Sequence, residues 1–210
     1  MNQPDSPVRS LLEQIAAPAA LDTPDLAAIG VALSELATDT DYMARWISRI
    51  TAGPEGERGS VAIHAPERGP RLMMVHRPKG GMSAAHDHGT WVAIASIVGI
   101  ETHRRYRSVG ARAGPGLEVV EALELAPMHT TTLLPPDDIH DHGHVVGRGE
   151  PAHILILTGD DQRRFTRNEW DVATGRHRIL RPGEQGRWLA SEPMPPGGPD
   201  VDVADEAVPS

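Results

Sequence analysis

The chain is expected to fold as an all-β core, a sandwich, jelly roll or barrel, preceded by N-terminal α-helices. Three observations lead there. Apolar residues in the first 50 positions recur at spacings of three and four; from about Ser60 they form many short runs instead; and Gly, Pro and Asp clusters separate those runs with no helical stripe between them. Strands without interleaved helices bury their apolar faces against one another, which closes them into two layers or a barrel.

Each element has its own signal. Ser6 followed by Pro7 is an N-cap with proline at the first helical position, opening a helix through Leu11, Leu12 and Ile15 that should stop at Pro18. Thr23 and Pro24 repeat the device ahead of a second stripe, Leu26, Ile29, Leu33 and Leu36, ending near Thr38. A third helix starts within 39–41 and carries Met43, Trp46, Ile47 and Ile50 on one face. These stripes are packing faces without a chemical role. The glycine-rich TAGPEGERG is a linker. Beyond it, strands are expected over 61–65, 71–76, 84–99, 101–107, 117–125, 129–134, 144–146, 152–158 and 163–170.

A length of 210 residues with 39% hydrophobic content supports one buried core and not two large ones. The expected organisation is a helical segment over 1–58 packed on a barrel over 59–190, then a disordered tail over 191–210 carrying five acids, five prolines and no base. A net charge of −9 argues against nucleic acid or an anionic membrane as partner, and points to a small molecule. With no cysteine, disulfides, thiolate metal sites and a cysteine nucleophile are excluded. The first residues lack an apolar signal core and no run approaches the roughly 20 apolar residues of a membrane span, so a cytoplasmic location is expected.

The chemistry centres on GGMSAAHDHGTWVAIASIVGI, residues 80–100. His86 and His88 are separated by one residue, so on a strand both imidazoles face the same side and can reach one metal ion. A further ligand is available in PPDDIHDHGH, where His140, His142 and His144 alternate after a proline turn. His142 and His144 share the parity of His140 and could replace it or hold its tautomer. Trp91, of opposite parity to His88, should face an outer packing layer, and Tyr106 could give a phenol to the pocket but fits an edge-strand position better.

These two stretches resemble the two motifs of the cupin superfamily. Gly80, His86, His88 and Gly99 match the first motif, with Val92 where that motif has glutamate, and Pro135, His140 and His144 follow the second. Among cupins the pattern is similar to the cysteine dioxygenase family and its members acting on 3-mercaptopropionate: HDH is followed by Trp91, the turn reads LPPDDIH, and a strand ending at Gly159 leads through arginines to EWDVATGR. The resemblance covers about residues 60–180. It implies a double-stranded β-helix, a mononuclear iron(II) held by His86, His88 and His140, and oxidation of a small thiol by dioxygen to a sulfinic acid, in a monomer or homodimer. It further implies a carboxylate-binding arginine downstream of Gly159, for which Arg167 fits best and Arg163 lies nearby.

The chain also departs from that family. Its Ser-His-Tyr relay is replaced by Ile154, Ile156 and Thr158, while His153, one residue out of register, belongs on the opposite face. With three neutral histidines and no carboxylate, the metal should favour anionic ligands. Two other functions fit the same residues: a metal-dependent cupin enzyme on a non-thiol substrate, and a non-catalytic cupin binding a small ligand.

Overall fold

A computed structural model describes residues 4–50, 59–80, 82–109, 116–144, 149–173 and 176–183. Of the expected linker over 51–59 all but Gly59, and the whole tail over 191–210, lie outside the described residues. Three helices come first, α1 (Ser6–Ala19), α2 (Leu26–Ala37) and α3 (Thr40–Ile50). Eleven strands follow: β1 (Ser60–His64), β2 (Arg71–Arg77), β3 (Ala85–His86), β4 (Val92–Val98), β5 (Glu101–Val109), β6 (Gly116–Leu125), β7 (Thr130–Leu133), β8 (His140–Gly143), β9 (Ala152–Thr158), β10 (Arg167–Asp171) and β11 (Arg176–Leu180). Among the described residues no helix is long and apolar enough to cross a membrane.

The helices begin at acidic caps. Asp5, not Ser6, is the N-cap of α1, and its carboxylate accepts from the Tyr42 hydroxyl at 3.1 Å; Pro18 lies inside the last turn and does not end the helix before it. Asp25 caps α2 by accepting from Ala28 N–H at 3.1 Å. Ile29, Leu33 and Leu36 of the expected stripe are buried, together with Val8, Leu11 and Ile15 of α1.

The strands form two antiparallel sheets, ordered β1-β2-β9-β4-β7 and β11-β10-β3-β8-β5-β6. The five-stranded sheet is apolar on both faces. Leu72, Met74, Ala93, Ala95, Leu155 and Leu157 pack outward with the helices, while Val75, Val92, Ile94, Ile154 and Ile156 pack inward. Burial on two sides is why β4 and β9 read as unbroken apolar runs. The six-stranded sheet alternates, with Ala85, Tyr106, Ile139 and Trp170 clustered on its outer face and histidines on its inner one. The all-β core with N-terminal helices is thus as expected, a jelly roll of two facing sheets.

Three strand expectations need correction. The single strand over 84–99 is two, β3 and β4, which belong to different sheets. The corner lies at Gly89, whose φ of +67° suits glycine and where an added Cβ would stand 2.6 Å from the Phe165 Cβ; the Asp138 carboxylate holds the turn by accepting from His88 N–H at 2.7 Å. No strand was expected over His140–Gly143, where β8 forms because His140 and His142 pair with β3 and β5; of the strand expected over 144–146, residues 145 and 146 lie outside the described residues. Residues 162–164 form a 3₁₀ turn capped by Asp161, so the strand there starts only at Arg167, and β11 beyond it had not been expected.

Gly99 tests how tightly β4 and β9 are joined. Its φ is +74°, and a Cβ there would meet the Pro151 and Glu150 carbonyl oxygens at 2.7 and 2.8 Å, whereas Gly69, with φ +88°, has open space around it. Gly69→Ala should cost about 1–2 kcal/mol, the left-handed penalty alone. Gly99→Ala should cost clearly more, with a melting temperature lowered by about 2–4 °C for each kcal/mol. Equal losses would remove the contact argument.

Candidate metal centre

The inner face of the six-stranded sheet gathers imidazoles by register. His86 on β3 lies directly opposite His140 on β8, and His142, two residues on, lies opposite His103 on β5. The His86 and His140 rings are 4.6 Å apart; His88, just past β3, is 4.8 Å from the first and 4.9 Å from the second. Ligand-capable atoms of His86, His140 and His142 lie within 4.8 Å of one another, and so do those of Glu101, His103 and His142.

Two of these rings present a defined nitrogen. His86 Nδ1 lies 2.9 Å from the Ala84 carbonyl and His140 Nδ1 3.0 Å from that of Asp138, each two residues upstream. A carbonyl only accepts, so both Nδ1 atoms carry the hydrogen, and in a neutral His140 the Nε2 keeps the lone pair a metal requires. His140 Nε2 is buried without a hydrogen-bond partner among the described residues. Burial, reinforced by the neighbouring histidines, holds His140 well below the usual imidazole range, so it is neutral at physiological pH. A buried neutral nitrogen of this kind fits a divalent cation, and leaving it unmatched is costly.

His142 is differently engaged. Its Nδ1 donates to Glu101 Oε1 at 3.0 Å, which leaves Nε2 to accept from Arg77 Nη2 at 2.9 Å. Arg77 also donates through Nε to Glu101 Oε1 at 2.9 Å, and His103 Nε2 donates to Oε2 at 2.8 Å. Burial opposes the charge on Glu101, yet His142 and His103 hold its carboxyl well below the usual carboxylate range. Burial and then the Arg77 charge keep His142 neutral. With a guanidinium already against Glu101 and His142, the Glu101–His103–His142 group is a charge-balanced network rather than a second cation site.

A cavity of about 40 Å³ opens onto the histidines. Met73, Val75, Ile94 and Ile156 wall it from the five-stranded sheet, and His86, His88, His140, His142, Arg167 and Glu169 from the other. Arg167 is buried and donates to Gln162 Oε1 at 3.1 Å. Arg163 stands outside, its guanidinium on the Asp161 carboxylate at the surface. Of the relay positions, Ile156 lines the cavity and Ile154 packs inward beside it, whereas Thr158 donates to the Asp160 carbonyl. His153 faces the other side, 3.2 Å from His76, as its parity required. Trp91 joins the helix-side core, and Tyr106 donates to Asp141 Oδ2 on the outer face, on a strand paired on both sides and not at an edge. His144 is fully buried but does not line the cavity.

Sequence reasoning missed Arg77, Glu101, Glu169 and Arg178. The expectation that no carboxylate stands near the histidines is therefore corrected: Val92 is buried among aliphatic side chains, but Glu101 bonds His142 and Glu169 lines the cavity. The only signal available was charge inside a strand pattern, and Glu101 and Arg77 stand where a solvated strand end would look the same.

No protein-family model matches this chain, and no curated protein matches it in sequence. Solved structures do resemble it. A cupin superfamily protein from Desulfitobacterium hafniense DCB-2 is 12% identical, over 52% of this chain and 83% of that one, with a TM-score of 0.39. Hydroquinone 1,2-dioxygenase from Sphingomonas sp. TTNP3, with 4-hydroxybenzoate bound, is 15% identical over 54% and 71%, at 0.39. KdgF from Halomonas sp. is 11% identical over 51% and 83%, at 0.38. The architecture is a jelly roll of two facing antiparallel sheets. That assignment stands on the strand order and register of this chain, since all three scores are below 0.5.

Breaking a buried ion pair costs about 3–5 kcal/mol, chiefly because the surviving charge is left unpaired. Arg77→Met should lower the unfolding free energy by that amount in chemical denaturation, and the double variant Arg77→Met/Glu101→Gln by less. A double variant as unstable as the single one would attribute the loss to packing. On the opposite face, burial and then the His76 charge lower His153 to about 4. The unfolded imidazole, near its ordinary value of about 6.5, binds its proton first, so stability is full above that pH and is lost as pH falls toward 4. His153→Leu should flatten the stability profile in this window, measured by denaturation at stepped pH.

Proposed function

We propose that this protein is a mononuclear non-haem iron(II) dioxygenase that oxidises a small thiol to its sulfinic acid. The reaction balances as R–SH + O₂ → R–SO₂H: both oxygen atoms join the sulfur, which supplies four electrons, and no external reductant is required. The observation that carries the reading is the His86–His140 pair, imidazoles whose Nδ1 atoms are anchored on carbonyls and which together line a small cavity. His88 completes the ligand set, its ring within 5 Å of both. His142 is assigned to the supporting network because Glu101 and Arg77 engage its two nitrogens. Iron(II) bound there supplies dioxygen activation and a charge that lowers the pKa of a coordinated thiol.

The chain's own residues do the rest. The three imidazoles bring no charge to offset an anionic ligand, which favours a thiolate over a neutral donor. Arg167, buried in the cavity wall and braced by Gln162, binds the carboxylate of a mercapto acid. Ile94 and Ile156, with Met73 and Val75, exclude water from the opposite side.

Anaerobically purified protein should contain one iron per chain. His86→Ala, His88→Ala or His140→Ala should each reduce iron affinity by more than the roughly 10–100-fold expected of His142→Ala, whose loss removes only a supporting contact. Oxygen uptake should depend on a thiol, and Arg167→Ala should raise KM for carboxylated thiols about tenfold or more while sparing uncharged ones. Bound iron without thiol-dependent uptake would move the reading to a metal-dependent enzyme of another substrate class, and absence of metal to a ligand-binding barrel.

A further inference from the structure

We propose that the surface groove beside Arg163 is the docking site of this chain's own acidic C-terminal segment, residues 191–210, whose carboxylates seat on its arginines. The groove, of about 400 Å³, lies between the turn that follows β1 and the 3₁₀ turn 162–164. Arg68, Arg71, Arg163 and Arg164 line it, together with Glu67 and Asp161. Asp161 accepts from Arg163 Nε at 3.0 Å and is paired with Arg71, while Arg164 donates to the Glu67 carbonyl at 3.2 Å and pairs with Asp160 at 3.4 Å. Four guanidinium groups and three carboxylates, Asp160 included, leave the groove with positive charge in excess, in a chain whose net charge is −9. Hydrogen bonds from Arg163 and then the charge of Arg71 hold the Asp161 carboxyl down to about 2.

Two observations select the chain's own tail over another anion. The described residues end at the groove: the Gly183 N–H donates to the Arg163 carbonyl at 2.8 Å, so residue 184 starts from its edge. Beyond Arg187 the sequence carries Glu192, Asp200, Asp202, Asp205 and Glu206 and no base. Asp200 follows Gly183 by roughly 17 residues, a span of at most about 60 Å when fully extended, so the acids can reach the groove. A tether of that length holds them near it at an effective concentration on the order of millimolar, an advantage that an untethered anion lacks. Guanidinium forks suit carboxylates, which they bind in pairs of hydrogen bonds. The groove also bears on the cavity, because Gln162, on the same turn, lines that cavity and accepts from Arg167. An occupant that clamps Arg163 and Arg164 therefore steadies the turn that braces the cavity wall.

Because the chain has no cysteine, introduced ones can be labelled selectively. Full-length protein carrying Ala62→Cys, at an exposed position of β1, and Ala204→Cys, among the acids, is spin-labelled at both sites for pulsed distance measurement. At low salt it should show a discrete short-distance population. Asp200→Asn/Asp202→Asn/Asp205→Asn/Glu206→Gln, which leaves the groove intact, should abolish that population. Arg68→Ala/Arg163→Ala, which truncates two exposed side chains, should abolish it too. So should an ionic strength of about 1 M, where the Debye length is only about 3 Å. A broad distribution in the wild-type background, or distances unchanged in both variants, would overturn the proposal. A population lost on changing the acids but kept on changing the arginines would seat the tail elsewhere and overturn it as well. The same holds for a short distance found only between copies, in a mixture of the two single-cysteine proteins, which would put the tail on a second molecule.

Discussion

The register between β3 and β8 is the constraint on which the inner face depends. It sets His86 opposite His140, and through the neighbouring pairings it sets Glu169 opposite His86 and Arg105 opposite His140 in one row across the sheet. Side chains alternate, so a slip of one residue would carry the whole row to the other face. The outer face resists such a slip with a network of its own. Asp141 accepts from the Tyr106 hydroxyl at 2.7 Å and from Arg104, next to the cluster of Ala85, Ile139 and Trp170. Both faces therefore favour the same pairing, one by polar contacts around a cavity and the other by apolar packing around an acid.

The same sheet has to hold charge where water is excluded, and it does so by pairing each carboxylate with its own guanidinium. Arg77 reaches Glu101 from the five-stranded sheet, joining the two layers through a fully buried ion pair, whereas Arg178 meets Glu169 from the adjacent strand. A pair of this kind is no large net source of stability, but each partner fixes the position of the other. The consequence for chemistry is geometric. His142 is held by Glu101, and Glu169 is held by Arg178, before any ligand arrives.

How much of this was legible in the sequence follows from the same physics. Periodicity of two is strong for single strands, so the gathering of His86, His88 and His140, the inward Ile154 and Ile156 and the outward His153 could all be read from parity. Pairing between strands remote in sequence could not. ETHRRYRSV, RNEWD and RHRIL look like solvated strands, and only the fold shows that Glu101, Arg167, Glu169 and Arg178 are buried. The apolar run after His88 concealed the corner at Gly89, because a chain changing sheets inside a buried layer needs no polar loop, only a glycine and the Asp138 carboxylate on the His88 N–H.

The two walls of the cavity differ because their sheets have different neighbours. The five-stranded sheet lies between the helices and the barrel interior, so both its faces are mainly apolar, and two of the relay positions, 154 and 156, hold isoleucine as a matter of packing. Polar groups able to bond a ligand are accordingly confined to the six-stranded side and to Arg77, which crosses to meet it. A ligand that needs hydrogen bonds must then lie with its polar groups along β3, β8 and β10 and its apolar body toward Met73, Val75, Ile94 and Ile156. Orientation is thus imposed by the division of labour between sheets, since the facing Met, Val and Ile side chains have no hydrogen to donate.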